Sequence, residues 1–420
     1  MKRSVLGSVC LLLLLAGGSA GAVLSHPGPP SPDGGEEMFR RIRRAVLKED
    51  EETLYQLARE DPWGFREVSN QLADLAVKND SDGNADDSAA ALVVAGHLAA
   101  IYLQTTGDTS LARRVRAMTA WNHQQMHQRA LVDDLLSRVE SQNPPRVRQL
   151  EEALPICRQL GDDRCLGILE GSLGLLRQRR GDGEAAALDY QRAAQAFKKG
   201  GELRRLRDAH LARGQLLLES ARLQAAAESL GAATAVSEQI GDAQGEVGAL
   251  FLLSEALSRS QRRERALSAL YRARQVSLEA GFDALAARAI LMAARLRGGD
   301  APLPGAAADY QAAGRLAAKA HDLDTAFEAY GAAARALAMD GRNNEGLDAV
   351  EKALSAARLG DNRAATGGLL LLASELYGRL GDWDRALRRV NTAIALLRTK
   401  NDDVALMQAL ALKGTTLLQA

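Results

Sequence analysis

Two histidines four residues apart have the spacing of metal ligands in this 420-residue sequence. His123 and His127 form the stretch His-Gln-Gln-Met-His, and on a helix this spacing puts both imidazoles on one face, as metal ligation requires. The zinc-protease pattern also needs a glutamate after the first histidine as general base, and Gln124 cannot serve. His97 is a candidate third ligand. We predict two partly exposed helix histidines and no metal site, and we keep a metal-dependent activity at His123 and His127 as the enzymatic alternative.

A short acidic stretch carries the oxygen-rich side chains that calcium prefers. Its members are Asp80, Asp82, Asn84, Asp86 and Asp87. An EF-hand loop needs glycine at its sixth position and an acid at its twelfth. Counted from Asp80, these positions hold Ala85 and Ala91. The pattern therefore favours a solvated loop in which Asp87 caps the next helix.

Two cysteines flank a turn and are the candidates for thiol chemistry. Cys157 precedes Gly161-Asp162 and Cys165 follows it. An antiparallel helical hairpin would bring the cysteines together, and an oxidising compartment would favour a disulfide. The alternative is two small buried residues without a bond. The sequence contains no phosphate-binding glycine loop and no Gly-x-Ser-x-Gly motif, so we predict no catalytic residue, no cofactor and no enzymatic activity.

Residues 181–420 consist of six consecutive copies of a 40-residue repeat. Its copies begin at Gly181, Ala221, Gln261, Ala301, Gly341 and Gly381. One column of small residues holds Ala186, Ala226, Ala266, Ala306, Gly346 and Ala386, and an alanine column lies seven residues later at Ala193, Ala233, Ala273, Ala313, Ala353 and Ala393. Between them lies a larger apolar column, from Tyr190 to Val390, and late in each copy stands another small residue, as at Gly214 and Ser254. A fixed period of this length indicates an array of supersecondary units.

Each repeat is predicted to form two helices. Apolar and small residues recur at steps of three and four, which is the helical period. Glycine after one helix and aspartate before the next, as in Gly241-Asp242, are ordinary stop and start signals. No part of the array alternates with period two. We therefore expect an all-α fold.

The small, large and alanine columns resemble the tetratricopeptide repeat (TPR). The common form of that repeat has 34 residues, and the six additional residues here lie around the turn between repeats. This resembles the long-repeat variety found in Leu-Gly-Asn-type scaffolds and in many exported bacterial proteins, some of which carry the array ahead of a caspase-like CHAT domain. The resemblance covers 181–420 well and 141–180 fairly. It implies a right-handed α-solenoid of stacked antiparallel helix pairs over 141–420, with repeats starting near 141, 181, 221, 261, 301, 341 and 381.

The first 35 residues look like a targeting segment and a linker. Residues 1–22 have a short positive start, an apolar run and the small residues Ala20-Gly21-Ala22, which are typical of a secretory signal peptide. The protein is therefore predicted to be exported, periplasmic or secreted. The alternative is a membrane anchor through residues 4–24, and a membrane association follows only if the signal is uncleaved. Residues 23–35 are predicted to be a disordered Pro/Gly linker.

Residues 36–140 are predicted to form divergent helical hairpins that cap the array, because solenoids need atypical end units with a polar outer face. Composition agrees with a protein-binding array. The 53 basic and 53 acidic residues give a formal charge of zero, which argues against nucleic-acid binding, since that would show a basic excess. Aromatic residues make up only 4% of the chain, which makes stacking platforms for bases or sugars improbable.

In the resembled family, ligands lie along the concave face, which the second helix of each repeat lines. The candidate lining residues are Phe251, Glu255, Arg288, Leu291, Arg295, Glu328, Arg335 and Glu375. Arg295 and Arg335 have the shape to clamp a carboxylate. The alternative is that both pair with neighbouring glutamates across the groove. The Lys/Asn pattern with which some family members grip a C-terminal carboxylate is absent at these positions.

These observations predict a non-enzymatic scaffold that binds a protein or a peptide. A second interpretation starts from the helix at 410–418, which is apolar and has no partner helix after it in the sequence. An uncovered apolar helix is a liability in a solenoid. We therefore expect that this helix docks on something, or that the array is the recognition arm of a longer protein with an effector, such as a CHAT-type protease, beyond Ala420.

Overall fold

A computed structural model describes residues 32–139, 141, 146–298, 305–360, 366–400 and 403–420. Within these residues the chain forms twenty α-helices and no strand. The first ten helices are α1 (Pro32–Leu47), α2 (Glu51–Glu60), α3 (Pro62–Ser81), α4 (Ala85–Thr106), α5 (Ser110–Thr119), α6 (His123–Ser137), α7 (Val147–Leu160), α8 (Asp163–Arg179), α9 (Gly183–Gly200) and α10 (Leu203–Glu219). The others are α11 (Leu223–Gln239), α12 (Ala243–Arg259), α13 (Arg263–Glu279), α14 (Asp283–Gly298), α15 (Ala307–Lys319), α16 (Leu323–Met339), α17 (Asn343–Leu359), α18 (Gly367–Arg379), α19 (Trp383–Lys400) and α20 (Asp403–Gln419).

The helices of the array are separated by turns with left-handed residues. Glycine occupies this position in most turns, as at Gly181 (φ +82°) and Gly341 (φ +74°). Among the turns that the structure describes, three place a residue with a Cβ there: Ala221, Gln261 and His321. Aspartate caps several of the following helices, as Asp242 does by accepting a hydrogen bond from the amide of Gly245 at 2.9 Å. These local stop and start signals divide the sequence into helices of similar length.

The repeat columns form the contacts between neighbouring helices. The alanine column is completely buried, as at Ala193 and Ala273 (0% exposed). The larger column packs against the small residue late in the preceding helix: a Cβ on Gly214 would lie 2.6 Å from a side-chain carbon of Leu230. Small residues therefore allow successive helices to approach closely, and the chain is an all-α, TPR-like solenoid of stacked antiparallel helix pairs.

The chain divides into two compact units, residues 1–240 and 241–420. Unit 1 has one apolar core formed by α1–α6, a second at α6–α8 and a third between α8 and α11. Unit 2 has cores that are rich in alanine, and its largest extends from Ala287 to Ala393. The signal peptide predicted at 1–22 lies outside the described residues, as does the first part of the predicted linker. The structure begins α1 at Pro32, inside the predicted linker, since proline is tolerated in the first turn of a helix.

One described helix, α4, is long and apolar enough to cross a membrane by length and composition. Half of its most apolar stretch is buried inside unit 1. Leu98 and Ala95 of this helix are fully buried. Packing of this kind is ordinary for the central helix of a helical core.

Candidate functional site

The predicted ligand-binding residues of unit 2 all lie on the second helices of the repeats, α12, α14, α16 and α18. Their exposed members form the surface that we call the second-helix surface: Glu255, Arg288, Arg295, Glu328, Arg335 and Glu375, with the half-buried Phe251. Consecutive second helices are in contact with one another. Arg379 of α18, for example, donates a hydrogen bond of 2.8 Å to the carbonyl of Ala338 in α16.

Arg288 stacks on an aromatic ring at one end of this surface. Its guanidinium carbon lies 5.3 Å from the centroid of the Phe251 ring, which comes from the preceding second helix. This distance is that of a cation–π contact. Arg288 forms no ion pair with the described residues, so its charge faces solvent beside an apolar ring.

The charge of Arg295 is neutralised by Glu328 of the next second helix. Its Nη2 donates to Glu328 Oε2 at 3.0 Å, and both side chains are about half exposed. Of the two sequence-based alternatives for Arg295, the structure shows the pairing across the groove. An exposed pair of this kind contributes about 0–1 kcal/mol to stability, so a ligand could separate it at small cost.

The outer glutamates are occupied on their own helices. Glu255 lies 3.6 Å from Arg259, and Glu375 accepts a hydrogen bond of 2.6 Å from Arg379. Neither reaches Arg335. The predicted pairing of the central arginines with these two glutamates is therefore not seen.

Arg335 is the second arginine of this surface without a carboxylate partner among the described residues. It forms no ion pair or hydrogen bond with any residue that the structure describes, although its side chain is exposed. Partial desolvation lowers the pKa of its guanidinium, and the nearby positive charge of Arg295 lowers it further. Gly331 lies one turn earlier, and a Cβ there would stand 3.9 Å from an Arg335 nitrogen. An uncompensated cation beside a second arginine favours an anion.

Of the two apolar residues predicted to line the groove, Phe251 is accessible and Leu291 is not. Leu291 is 3% exposed and packs in the core of unit 2, because it points between helices rather than outward. It supports the surface from below and does not line it. Phe251 and Leu371 are half-buried and remain accessible.

The histidine pair lies in unit 1 and each ring already has a partner. His123 Nδ1 lies 2.7 Å from Asp80 Oδ2, and His127 Nδ1 lies 3.0 Å from the Ser81 hydroxyl. Among the described residues no group of three or more His, Cys, Asp or Glu side chains is arranged to hold a metal ion. Asp80 of the acidic stretch is therefore the partner of the His123 ring.

The two cysteines of the predicted hairpin are brought together. Cys157 lies in the last turn of α7 and Cys165 in the first turn of α8. Their Cα atoms are 5.7 Å apart with the two sulfurs joined. This Cα separation is within the range that a disulfide spans. Both side chains are buried. The disulfide between Cys157 and Cys165 in the protein in solution stays a prediction.

Unit 1 contains a buried ionic network that no sequence motif indicates. Arg66 of α3 donates to Asp108 and Ser110, to the carbonyl of Gly200, and to Glu202 at 3.0 Å. Arg164 of α8 binds Glu202 at 2.8 Å and Glu67 at 2.9 Å. A second part of the network joins Arg114 and Arg129 to Asp162 and Asp74.

Acids in this network are held in the charged form. Burial alone would raise the pKa of Glu202, but Arg164 and Arg66 lower it to about 2. Arg114 and Arg129 likewise hold the pKa of Asp162 well below its usual range against the effect of burial. The only sequence signal was a set of arginines within otherwise apolar helices. In the sequence, Gly161-Asp162 and Gly201-Glu202 indicate only turns between helices.

Comparisons with known proteins give a fold and no family. The sequence matches no protein-family model and no curated protein. The structure resembles that of a signal transduction ATPase with numerous domains, a STAND protein with a tetratricopeptide repeat sensor from Pyrococcus horikoshii, with a TM-score of 0.50 and 11% identity over 92% of this chain. The present chain spans 55% of that protein's length.

Two further neighbours are more distant. They are a Rap protein complexed with competence and sporulation factor (TM-score 0.36, 12% identity, 84% of this chain and 100% of that one) and yeast Tom70 (TM-score 0.35, 13% identity, 92% and 95%). At these identities a likeness concerns the fold alone, and of these three structures the STAND protein has the TM-score that supports it.

Proposed function

We propose that this protein is an exported, non-enzymatic scaffold that binds a protein or peptide segment on the second-helix surface of unit 2. The observation that carries the proposal is Arg335, an accessible cation without an anionic partner among the described residues. Export is supported by the leader pattern in residues 1–22, and the TPR-like fold supports a binding role by analogy.

The chemistry of the surface favours an acidic segment. Arg335 and the stacked Arg288 are the cations of this surface that no described carboxylate neutralises. A guanidinium binds a carboxylate with two parallel hydrogen bonds, and such charge-assisted bonds are the strong ones. Phe251 and Leu371 add accessible apolar area beside these charges. We infer a ligand with a carboxylate for Arg335, a second acid near Arg288, and an apolar residue next to it.

A displayed library of random peptides tests this proposal without knowledge of the natural partner. Peptides selected on the full chain should be enriched in Asp and Glu. Arg335→Gln should weaken the binding of a selected peptide, measured by fluorescence anisotropy, about tenfold or more, because a hydrogen bond to a charged group contributes about 1.5–3 kcal/mol. The salt dependence should fall as well.

Arg274→Gln is the matched control. Arg274 is an exposed arginine on α13, a first helix of the same unit, and it forms no ion pair with the described residues. Its replacement removes the same charge from unit 2 without touching the second-helix surface, and we expect unchanged affinity. Equal losses in both variants would indicate a non-specific charge effect. Selection of neutral peptides that bind Arg335→Gln normally would contradict the proposal.

A further inference from the structure

We propose that the Cys157–Cys165 disulfide is a redox-dependent clasp. By fixing the turn between α7 and α8, it holds Asp162 in the position from which this residue anchors α5 and α6 to α8. The proposal concerns unit 1 alone and does not depend on ligand binding by unit 2. It rests on two independent observations, which are the joined cysteines on both sides of the turn and the buried contacts of the residue between them.

The turn is organised around Asp162. Gly161 adopts a left-handed conformation (φ +67°), and the amide of Asp162 donates to the carbonyl of Cys157 at 3.1 Å. The Asp162 carboxylate caps α8 by accepting a hydrogen bond of 3.1 Å from the amide of Cys165. Both cysteine backbones therefore contact Asp162 directly, and a bond between their side chains closes a ring around it.

Asp162 also receives two arginines from the N-terminal helices. Arg129 of α6 donates from Nε to Oδ2 at 3.1 Å, and Arg114 of α5 donates from Nε to Oδ1 at 3.3 Å. The side chains of Asp162 and Arg129 are almost completely buried. The removal of one partner from a buried ion pair is strongly destabilising, because the remaining charge is left uncompensated. A small displacement of Asp162 should therefore loosen both arginines together.

The chemistry balances as an ordinary thiol–disulfide exchange. Oxidation removes two electrons and two protons from the thiols of Cys157 and Cys165, and a small-molecule disulfide such as oxidised glutathione accepts them and leaves as two thiols. A dithiol reductant reverses the step. Cys157 is 1% and Cys165 is 0% exposed, so exchange requires local opening of the turn. We therefore expect slow reduction of the native protein.

Hydrogen exchange of the full chain, read by mass spectrometry, tests the clasp. Alkylation of the denatured protein without reductant should leave the peptides of Cys157 and Cys165 unmodified, because denaturation exposes any free thiol. After reduction with a dithiol, amides of α5 and α6 should exchange at least about tenfold faster, while those of α17 in unit 2 should not change. Free thiols at both cysteines in protein purified under oxidising conditions would overturn the proposal. So would exchange in α5 and α6 that reduction does not alter.

Two variants separate the clasp from a general stabilising effect. Cys157→Ala with Cys165→Ala should reproduce the reduced protein without reductant. Asp162→Asn keeps an acceptor for the cap but removes the charge, so α5 and α6 should already exchange fast and reduction should add little. Such non-additivity is the signature of coupled residues. If reduction accelerates exchange in Asp162→Asn as much as in the wild type, the coupling does not pass through Asp162.

Discussion

Two buried glutamates of unit 1, Glu202 and Glu170, have pKa shifts of opposite sign because their hydrogen-bond partners differ. Glu202 is 5% exposed and accepts hydrogen bonds from Arg66, Asn70 and Arg164. Glu170 is 2% exposed, but its closest donor is Arg158 at 3.4 Å, and its other oxygen has no partner. Burial therefore raises the pKa of Glu170, whereas the arginines lower that of Glu202.

Replacement of Glu170 by leucine is expected to stabilise the protein. Three of the six equivalent positions in later repeats hold the buried aliphatic residues Leu250, Ile290 and Leu370. A poorly satisfied buried acid costs about 1–3 kcal/mol, so Glu170→Leu should raise the free energy of unfolding by about 1–2 kcal/mol. The pKa is raised in the folded state, so the cost appears as pH rises above the unfolded value. The gain should thus be larger at pH 7 than at pH 4.

Chemical denaturation of unit 1 at the two pH values provides the measurement. Glu255→Leu is the control, because Glu255 is exposed on α12 and surface replacements usually change stability by less than about 0.5 kcal/mol. A loss of stability in Glu170→Leu would show that Arg158 depends on this acid more than the distance of 3.4 Å indicates.

At the scale of the helix, the small residue late in each repeat is tightly packed in one helix and has open space beside it in another. Gly214 of α10 faces the buried Leu230, and an added Cβ would lie 2.6 Å from it. Gly414 occupies the same column of α20, where an added Cβ would meet nothing within 4 Å. Val404 and Met407 of α20, each 64% exposed, mark the same open side.

The same substitution should therefore have opposite signs at these two sites. Gly414→Ala should stabilise by about 0.5–1 kcal/mol, because alanine is the better helix former and nothing is displaced. Gly214→Ala should destabilise by about 1–3 kcal/mol, because the methyl group overpacks the contact with Leu230. Gly248→Ala, in open space on α12, is the control and should behave like Gly414→Ala. Changes of equal sign at Gly214 and Gly414 would contradict this packing.

The helices could be predicted from the sequence because their signals are local. The alanines of the repeat columns are buried as their spacing predicts, and the glycines before Asp182 and Asp382 end helices by left-handed turns. The ionic network of unit 1 could not be predicted in this way. Arg66 meets Gly200 across 134 residues, and neither the helical period nor a turn signal contains information about such a partner.

For the candidate site, the helix face of each residue could be predicted, but its partner in space could not. Register placed Arg295 and Arg335 on one face, and both are exposed there. Equal spacing made the two arginines equivalent, whereas in the structure only Arg295 reaches Glu328. Leu291 shows the same limit, because its column also holds the accessible Phe251. The direction of each side chain depends on its neighbours in space.

Across the whole molecule, charge balance hides an uneven distribution of buried charge. The formal net charge is zero, yet most of the acids that the structure shows buried and paired with arginine belong to unit 1. They include Glu202 and Asp162, beside the half-buried Asp74, and the arginines lower the pKa values of all three against the effect of burial. In unit 2, the buried Glu246 pairs with Arg272 at 2.9 Å. In the described part of unit 2, the largest core consists of alanine and other apolar residues.

This distribution predicts that acid unfolds unit 1 before unit 2. An acid with a lowered folded pKa contributes stability above its unfolded value, and the contribution disappears as pH falls through the folded value. For Glu202 that window runs from about 4.5 down to about 2, and its pKa change corresponds to on the order of 3 kcal/mol. Asp133 opposes this trend, because burial raises its pKa.

Pepsin, which is active throughout this window, can report the order of unfolding. As pH falls from 4.5 to 2, cleavage should begin within α3, α5 and α6, while α17 and its neighbours remain resistant. In Glu202→Gln, cleavage of unit 1 should already occur at pH 4.5 and should depend less on pH, because glutamine cannot titrate and Arg66 and Arg164 have lost their shared anion. Simultaneous cleavage of both units, or earlier cleavage of unit 2, would mean that the buried ion pairs of unit 1 do not determine acid stability.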